Sequence, residues 1–113
     1  MTEENHRATV TVTCDDVLDL AAAESMRERL LAAMRGGGES DVEVLGAAVR
    51  QIDTANLQLL CAAARELRAQ GRSFRISEPS SPFVTAARRL GLAGVLGIDG
   101  RASPATMPPP FSG

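Results

Sequence analysis

The 113-residue chain is 44% hydrophobic and 23% charged with a mean hydropathy of −0.02, the profile of one globular domain large enough to bury its own core. Fourteen acids against 12 bases leave a net charge of −2, which argues against non-specific binding to nucleic acid or to an anionic membrane surface. All 12 bases are Arg, so neither a Schiff-base lysine nor a P-loop lysine is available.

Other chemistries are excluded by residue type. No apolar run approaches the roughly 20 residues that span a bilayer, and Met1-Thr2-Glu3-Glu4-Asn5 is too acidic and polar for a signal peptide. The expectation is a cytoplasmic protein without membrane insertion. His6, the single histidine, has no partner for a metal site or a catalytic triad and reads as a solvated leader residue. Cys14 and Cys61 are too few and too far apart for a structural zinc, and read as small buried hydrophobes in a reducing compartment. Trp and Tyr are absent and Phe74, Phe83 and Phe111 are the only aromatics, so a base-stacking platform for single-stranded nucleic acid lacks its rings. Asp15, Asp16 and Asp19 gather without His or Lys and read as solvated turn residues rather than a metal site. No cofactor, no metal and no enzymatic activity are expected.

Residues 1–7 form a polar leader, expected to be disordered. Over residues 8–14, Val10, Val12 and Cys14 alternate with threonines, the pattern of a half-buried strand. Asp15-Asp16 supplies a turn, and residues 17–20 read as a short second strand. The period then changes: Ala22, Met26, Leu30, Ala33 and Met34 share one face of a helix predicted over 21–35, with Glu24, Arg27, Glu28 and Arg35 outside. Gly36-Gly37-Gly38 stops that helix; without a following Lys-Ser/Thr or a GxGxxG frame it does not read as a phosphate loop.

Residues 41–45 form the next strand, and an irregular connection leads to Ile52-Asp53. Asp53 and Thr54 are both good helix N-caps, and Leu57, Leu60, Cys61, Ala64 and Leu67 follow at helical spacing, with Arg65, Glu66 and Arg68 on the wet side. Gln70-Gly71 closes this helix. Residues 73–77 alternate again, with Phe74 and Ile76 inward. Ser81 as N-cap and Pro82 at the first position open a helix that buries Phe83, Ala86, Ala87 and Leu90. Arg88-Arg89 on its wet face read as solvated. A short apolar piece, 93–96, follows Gly91-Leu92. Residues 99–113, including Pro108-Pro109-Pro110, lack the apolar content to fold and read as a disordered tail. The alternation of strands and helices predicts an α/β layer: a mixed β-sheet of four to five strands covered by about four helices.

The informative junction is Asp53-Thr54-Ala55-Asn56-Leu57-Gln58. A hydroxyl at a helix start faces free backbone N–H groups and the positive end of the helix dipole, so it can cap the helix or, once phosphorylated, carry a dianion that its own helix stabilises. On the residues alone the capping role is the commoner one.

The junction and its surroundings resemble the STAS domain, the fold shared by anti-sigma factor antagonists and the cytoplasmic domains of sulfate transporters. Members typically show Asp-Ser-Ser/Thr-Gly-Leu at the start of a long helix, then a strand, a loop of the form Pro-Ser-x-x-Val, a helix and a closing Gly-Leu. The counterparts here are Asp53-Thr54-Ala55-Asn56-Leu57, Phe74-Arg75-Ile76, Glu78-Pro79-Ser80-Ser81-Pro82 and Leu90-Gly91-Leu92. Upstream, Val17-Leu18-Asp19-Leu20-Ala21 also fits, so the resemblance covers residues 8–98. It implies a non-enzymatic signalling adaptor that binds a partner protein through Asp53, Thr54, Ala55, Asn56 and Gln58, with Thr54 as the residue that a partner serine kinase, often an anti-sigma factor, phosphorylates. Ala55 lacks the second hydroxyl of the motif, and Asn56 replaces the usual glycine with a bulkier amide where a partner would approach. Asp-Thr-Ala followed by Leu-Gln-Leu-Leu is closer to the small STAS proteins found among bacterial chemotaxis components, and to the STAS subunit of bacterial phospholipid-transport ABC complexes. The first of these implies a chemotaxis component as partner; the second, the alternative reading, implies an accessory subunit bound to a transporter ATPase.

Overall fold

A computed structural model describes residues 8–36 and 39–98. The leader 1–7, Gly37-Gly38 and the segment 99–113 lie outside the described residues. Alternating Thr and Val shape β1 (Thr9–Thr13), the alternating apolar run Val42, Val44 shapes β3 (Asp41–Leu45), and Phe74 and Ile76 do the same in β5 (Phe74–Ser77). The three pair in the order β1-β3-β5, all parallel, with Val10 opposite Val42 opposite Phe74 and Val12 opposite Val44 opposite Ile76. These two rows line one face of the sheet. The opposite face carries Thr11, Glu43 and Arg75 in register, and Arg75 pairs with Glu43 at 3.2 Å.

Two very short strands, β2 (Val17–Leu18) and β4 (Gln51–Ile52), form a separate parallel ladder. Each runs straight into a long helix: β2 into α1 (Leu20–Gly36), β4 into α2 (Thr54–Ala69). α1 and α2 pack on each other and over the apolar rows of the sheet, and α3 (Ser81–Arg89) and α4 (Ala93–Leu96) close the end next to β4 and α2. Met26, Leu30, Leu57, Leu60, Ala64, Leu67 and Phe83 meet the strands in a single core, each no more than 3% exposed. Thus the predicted α/β layer is what forms, with five strands and four helices among the described residues; the strands are all parallel and lie in two ladders, not in one mixed sheet. Among the described residues no helix is long and apolar enough to cross a membrane.

Local differences from expectation have identifiable causes. The second strand ends at Leu18, not at residue 20, because Asp19 accepts from the Ala22 N–H at 3.1 Å and starts α1 there; Leu20 is left 73% exposed. The stretch expected to be irregular before Ile52 contains β4, a strand too short to show a period. The N-cap of α3 is Ser80, not Ser81: its Oγ accepts from the Phe83 N–H at 3.3 Å and donates to the Val49 carbonyl at 2.6 Å. Leu90 is 46% exposed and not part of the buried side of α3, since the helix ends one residue before it. Gly46 sits under the Phe83 ring so closely that a Cβ there would lie 3.1 Å from a ring carbon.

Candidate functional site: the starts of α1 and α2

Because β2 and β4 are parallel neighbours, the helices that follow them begin side by side. The chain joins them tightly. The Asp53 N–H donates to the Leu18 carbonyl at 3.0 Å, and Asp53, in extended conformation, caps α2 by accepting from the Asn56 N–H at 3.1 Å. The two N–H groups of the Asn56 side-chain amide are shared among three oxygens: Leu18 O at 2.9 Å, Asp19 O at 3.0 Å and Asp53 Oδ1 at 2.9 Å. On the flank, Arg50 pairs with Asp16 at 3.2 Å, and the backbone N–H of Arg50 donates to the Asp16 carbonyl at 2.7 Å.

This geometry sorts the residues that the sequence groups together. Asp53 is the cap. Thr54 is the first helical residue instead, exposed, and its hydroxyl has no hydrogen bond among the described residues. Of the neighbours expected to face a partner, Gln58 is exposed and Ala55 and Asp53 are half-buried. Asn56 is the correction: it is fully buried, so its amide meets the turn before α1 and presents no surface to a partner. An amide in the first turn of a helix is a weak helix former, and that mismatch was the one sequence signal for a structural role.

The corner has a definite chemistry. A hydroxyl stands at the positive end of a 16-residue helix, one residue after the Asp53 cap. Phosphorylation there would add about −1.5 to −2 charges in one step. The two thiols take no part: Cys14 and Cys61 are free and 2% exposed, and burial pushes the Cys14 thiol up to about 11 and the Cys61 thiol upward as well. Glu43 lies on the polar sheet face, where hydrogen bonds from Ser77 and Arg75 hold its carboxyl below the ordinary range. Among the described residues no three of His, Cys, Asp and Glu come together as a metal-binding set. Sequence reasoning also missed Arg72, whose guanidinium is buried and donates to the Ser40 carbonyl at 2.7 Å.

The unphosphorylated form of the anti-sigma factor antagonist SpoIIAA has a similar structure, with a TM-score of 0.66 and 23% sequence identity, over 81% of this chain and 80% of that one. At that identity the likeness speaks for the fold. No curated protein matches the sequence. The family model described as "Mlab, STAS domain" matches residues 1–98, nearly the whole of the chain, and the chain therefore belongs to the STAS domain family.

Proposed function

We propose that this STAS domain is a non-enzymatic adaptor that binds a partner protein through the start of α2, with Thr54 at the centre and Asp53, Ala55 and Gln58 around it. The observation that carries the reading is the division of labour at the helix start: Asp53 caps α2 through the Asn56 N–H, and Thr54 is exposed with its hydroxyl unused. A residue the fold does not need is available to a partner. Phosphorylation of Thr54 by a partner serine kinase, such as an anti-sigma factor, would switch the contact by charge repulsion and desolvation. The fold shared with SpoIIAA supports this reading, as does the absence of a second hydroxyl at Ala55, which leaves Thr54 as the single acceptor in the motif. A chemotaxis component is an equivalent partner class, and a cytoplasmic location suits both.

The second reading is an accessory subunit of a phospholipid-transport ABC complex, bound to its ATPase. The description of the matching family, "Mlab, STAS domain", favours it. It uses the same corner without requiring phosphorylation.

One experiment addresses both. Immobilised wild type, Thr54→Ala and Thr54→Glu capture partners from lysate of the source cells, the proteins are identified, and each purified partner is titrated by calorimetry. The expected result is a several-fold loss of affinity for Thr54→Glu relative to Thr54→Ala. A kinase among the partners, together with a Thr54 phosphopeptide in the mass spectrum, supports the switch, whereas an ATPase without it supports the transporter subunit. Equal affinity of all three forms removes the corner from the interface.

A further inference from the structure

The faces of α1 and α2 turned away from the sheet leave a trough of about 780 Å³ between them. Its floor is apolar: Leu31, Met34 and Leu59 are half-buried there above Leu30 and Ala63. Its rim is basic on the α1 side, where Arg27 and Arg35 are exposed. On the α2 side Glu66 accepts from the Gln70 amide at 2.8 Å, and Arg72 closes the end.

Arg72 distinguishes this trough from an ordinary helix–helix crease. The residue is 7% exposed, yet among the described residues no carboxylate pairs with it. Its Nε donates to the Ser40 carbonyl and its Nη1 to Gln70 Oε1, each at 2.7 Å, and its Nη2 is buried with no partner. A buried cation held only by neutral oxygens, with one donor unmet, is expensive, and an anion is what would relieve it. Three arginines around the trough face one carboxylate, which is already hydrogen-bonded to Gln70.

The shape selects among anions. The α2 wall runs from Leu59 to Gln70, which is roughly 16 Å or three helical turns. A trough open along its length leaves a small molecule largely in water, but it seats a helix whose apolar residues recur at i, i+3, i+4 and i+7. We propose that the α1–α2 trough is a second docking site, which takes an acidic amphipathic helix of a partner protein and seats one of its carboxylates at Arg72. The α2 wall of the trough begins at Leu59, roughly 8 Å along the helix from Thr54, and its Arg72 end lies beyond the last turn, roughly 24 Å from Thr54. The adaptor then has two faces that can be occupied together.

The probes are two synthetic peptides of about 15 residues, long enough to hold a helix when stapled, with the same leucine stripe and either Glu or Lys beside it. Each is titrated onto the isotope-labelled full chain and followed by amide shifts and fluorescence anisotropy. The Glu peptide should move the amides of Leu31, Arg35, Ala62, Glu66 and Arg72 and bind at least tenfold tighter than the Lys peptide. Arg27→Glu/Arg35→Glu, both on exposed positions, should invert that preference, Arg72→Met should weaken the Glu peptide, and Thr54→Glu should leave its affinity unchanged. Because Arg72→Met also removes the bond to Ser40, the Arg27/Arg35 variant decides if that protein fails to fold. Equal binding of the two peptides, or no shift at the trough at millimolar peptide, overturns the proposal. So does decanoate moving these amides where the Glu peptide does not, which makes the trough a small-molecule site. Concentration-dependent dimers that bury it point to a second copy, and Phe111→Glu moving the trough amides without peptide points to the chain's own C-terminal segment; either result also overturns the proposal.

Discussion

The side-chain amide of Asn56 lies 2.9 Å from the carbonyl oxygen of Leu18, and this bond crosses from the first turn of α2 to the end of β2. The same nitrogen serves Asp19 and Asp53, so one buried side chain satisfies oxygens from both helix starts. Removing this donor takes one of two hydrogen bonds from each of the Leu18 and Asp19 carbonyls, which keep the N–H groups of Asp53 and Ala22. Asn56→Ala should therefore cost about 1–3 kcal/mol in a urea denaturation series. A midpoint equal to wild type would show that water replaces the amide without loss.

The division between cap and acceptor has its own signature. Asp53→Ala should cost about 1 kcal/mol, because the Asn56 N–H loses its acceptor. Thr54→Ala should stay within about 0.5 kcal/mol, as expected of an exposed side chain with no role in the fold. Thr54→Glu should also fold, since a carboxylate suits a helix N-terminus. The ranking is read from thermal or urea midpoints of the three variants, and a larger loss for Thr54→Ala than for Asp53→Ala would return the capping role to Thr54.

Leu60 is wholly buried in the centre of α2. Leu60→Ala should cost about 2–5 kcal/mol, the transfer of a large side chain plus the cavity it leaves. Chemical denaturation checks it: a loss below this range would mean that α2 settles toward the sheet and fills the space.

Alkaline pH should unfold the protein through its thiols. The chain has no Lys and no Tyr, so between the ordinary thiol value of 9.0 and the raised Cys14 value of about 11 the cysteines are the side chains that titrate. The fold favours the neutral Cys14 thiol, so its contribution is whole below pH 9.0 and is lost as pH rises through about 11. Two units correspond to about 3 kcal/mol. Urea midpoints measured at pH 8 and again near pH 11 should fall steeply for wild type and less for Cys14→Ala. Parallel profiles for the two proteins would assign the alkaline loss to Cys61 or to the backbone.

Most of the fold was legible because burial imposes a period. The stripe Leu57, Leu60, Cys61, Ala64, Leu67 is buried as its spacing requires, and Phe74 and Ile76 point inward as their alternation requires. What escaped notice depends on contacts too local or too distant for a period. β4 is two residues long, and Ile52 pairs with Leu18 across 34 positions of sequence. The Asn56 lock joins residues up to 38 positions apart, and the only sign of it within the junction is a weak helix former in the first turn. Arginines are mostly exposed and nothing beside Arg72 in the sequence marks it as buried; it is held by the Ser40 carbonyl, 32 positions away. At the helix start Thr54 and Gln58 are exposed, while the choice of Asp53 over Thr54 as cap requires the backbone angles.

The shared amide of Asn56 also bears on motion. Helix first turns usually fray independently, each with its own opening free energy. Here the oxygens of Leu18, Asp19 and Asp53 surround one nitrogen, so opening the first turn of either helix takes a hydrogen bond from it. The two ends should therefore loosen together, with slow amide exchange at the start of α2 accompanied by slow exchange at the start of α1. A protein that gripped Thr54 would then stiffen the start of α1 as well.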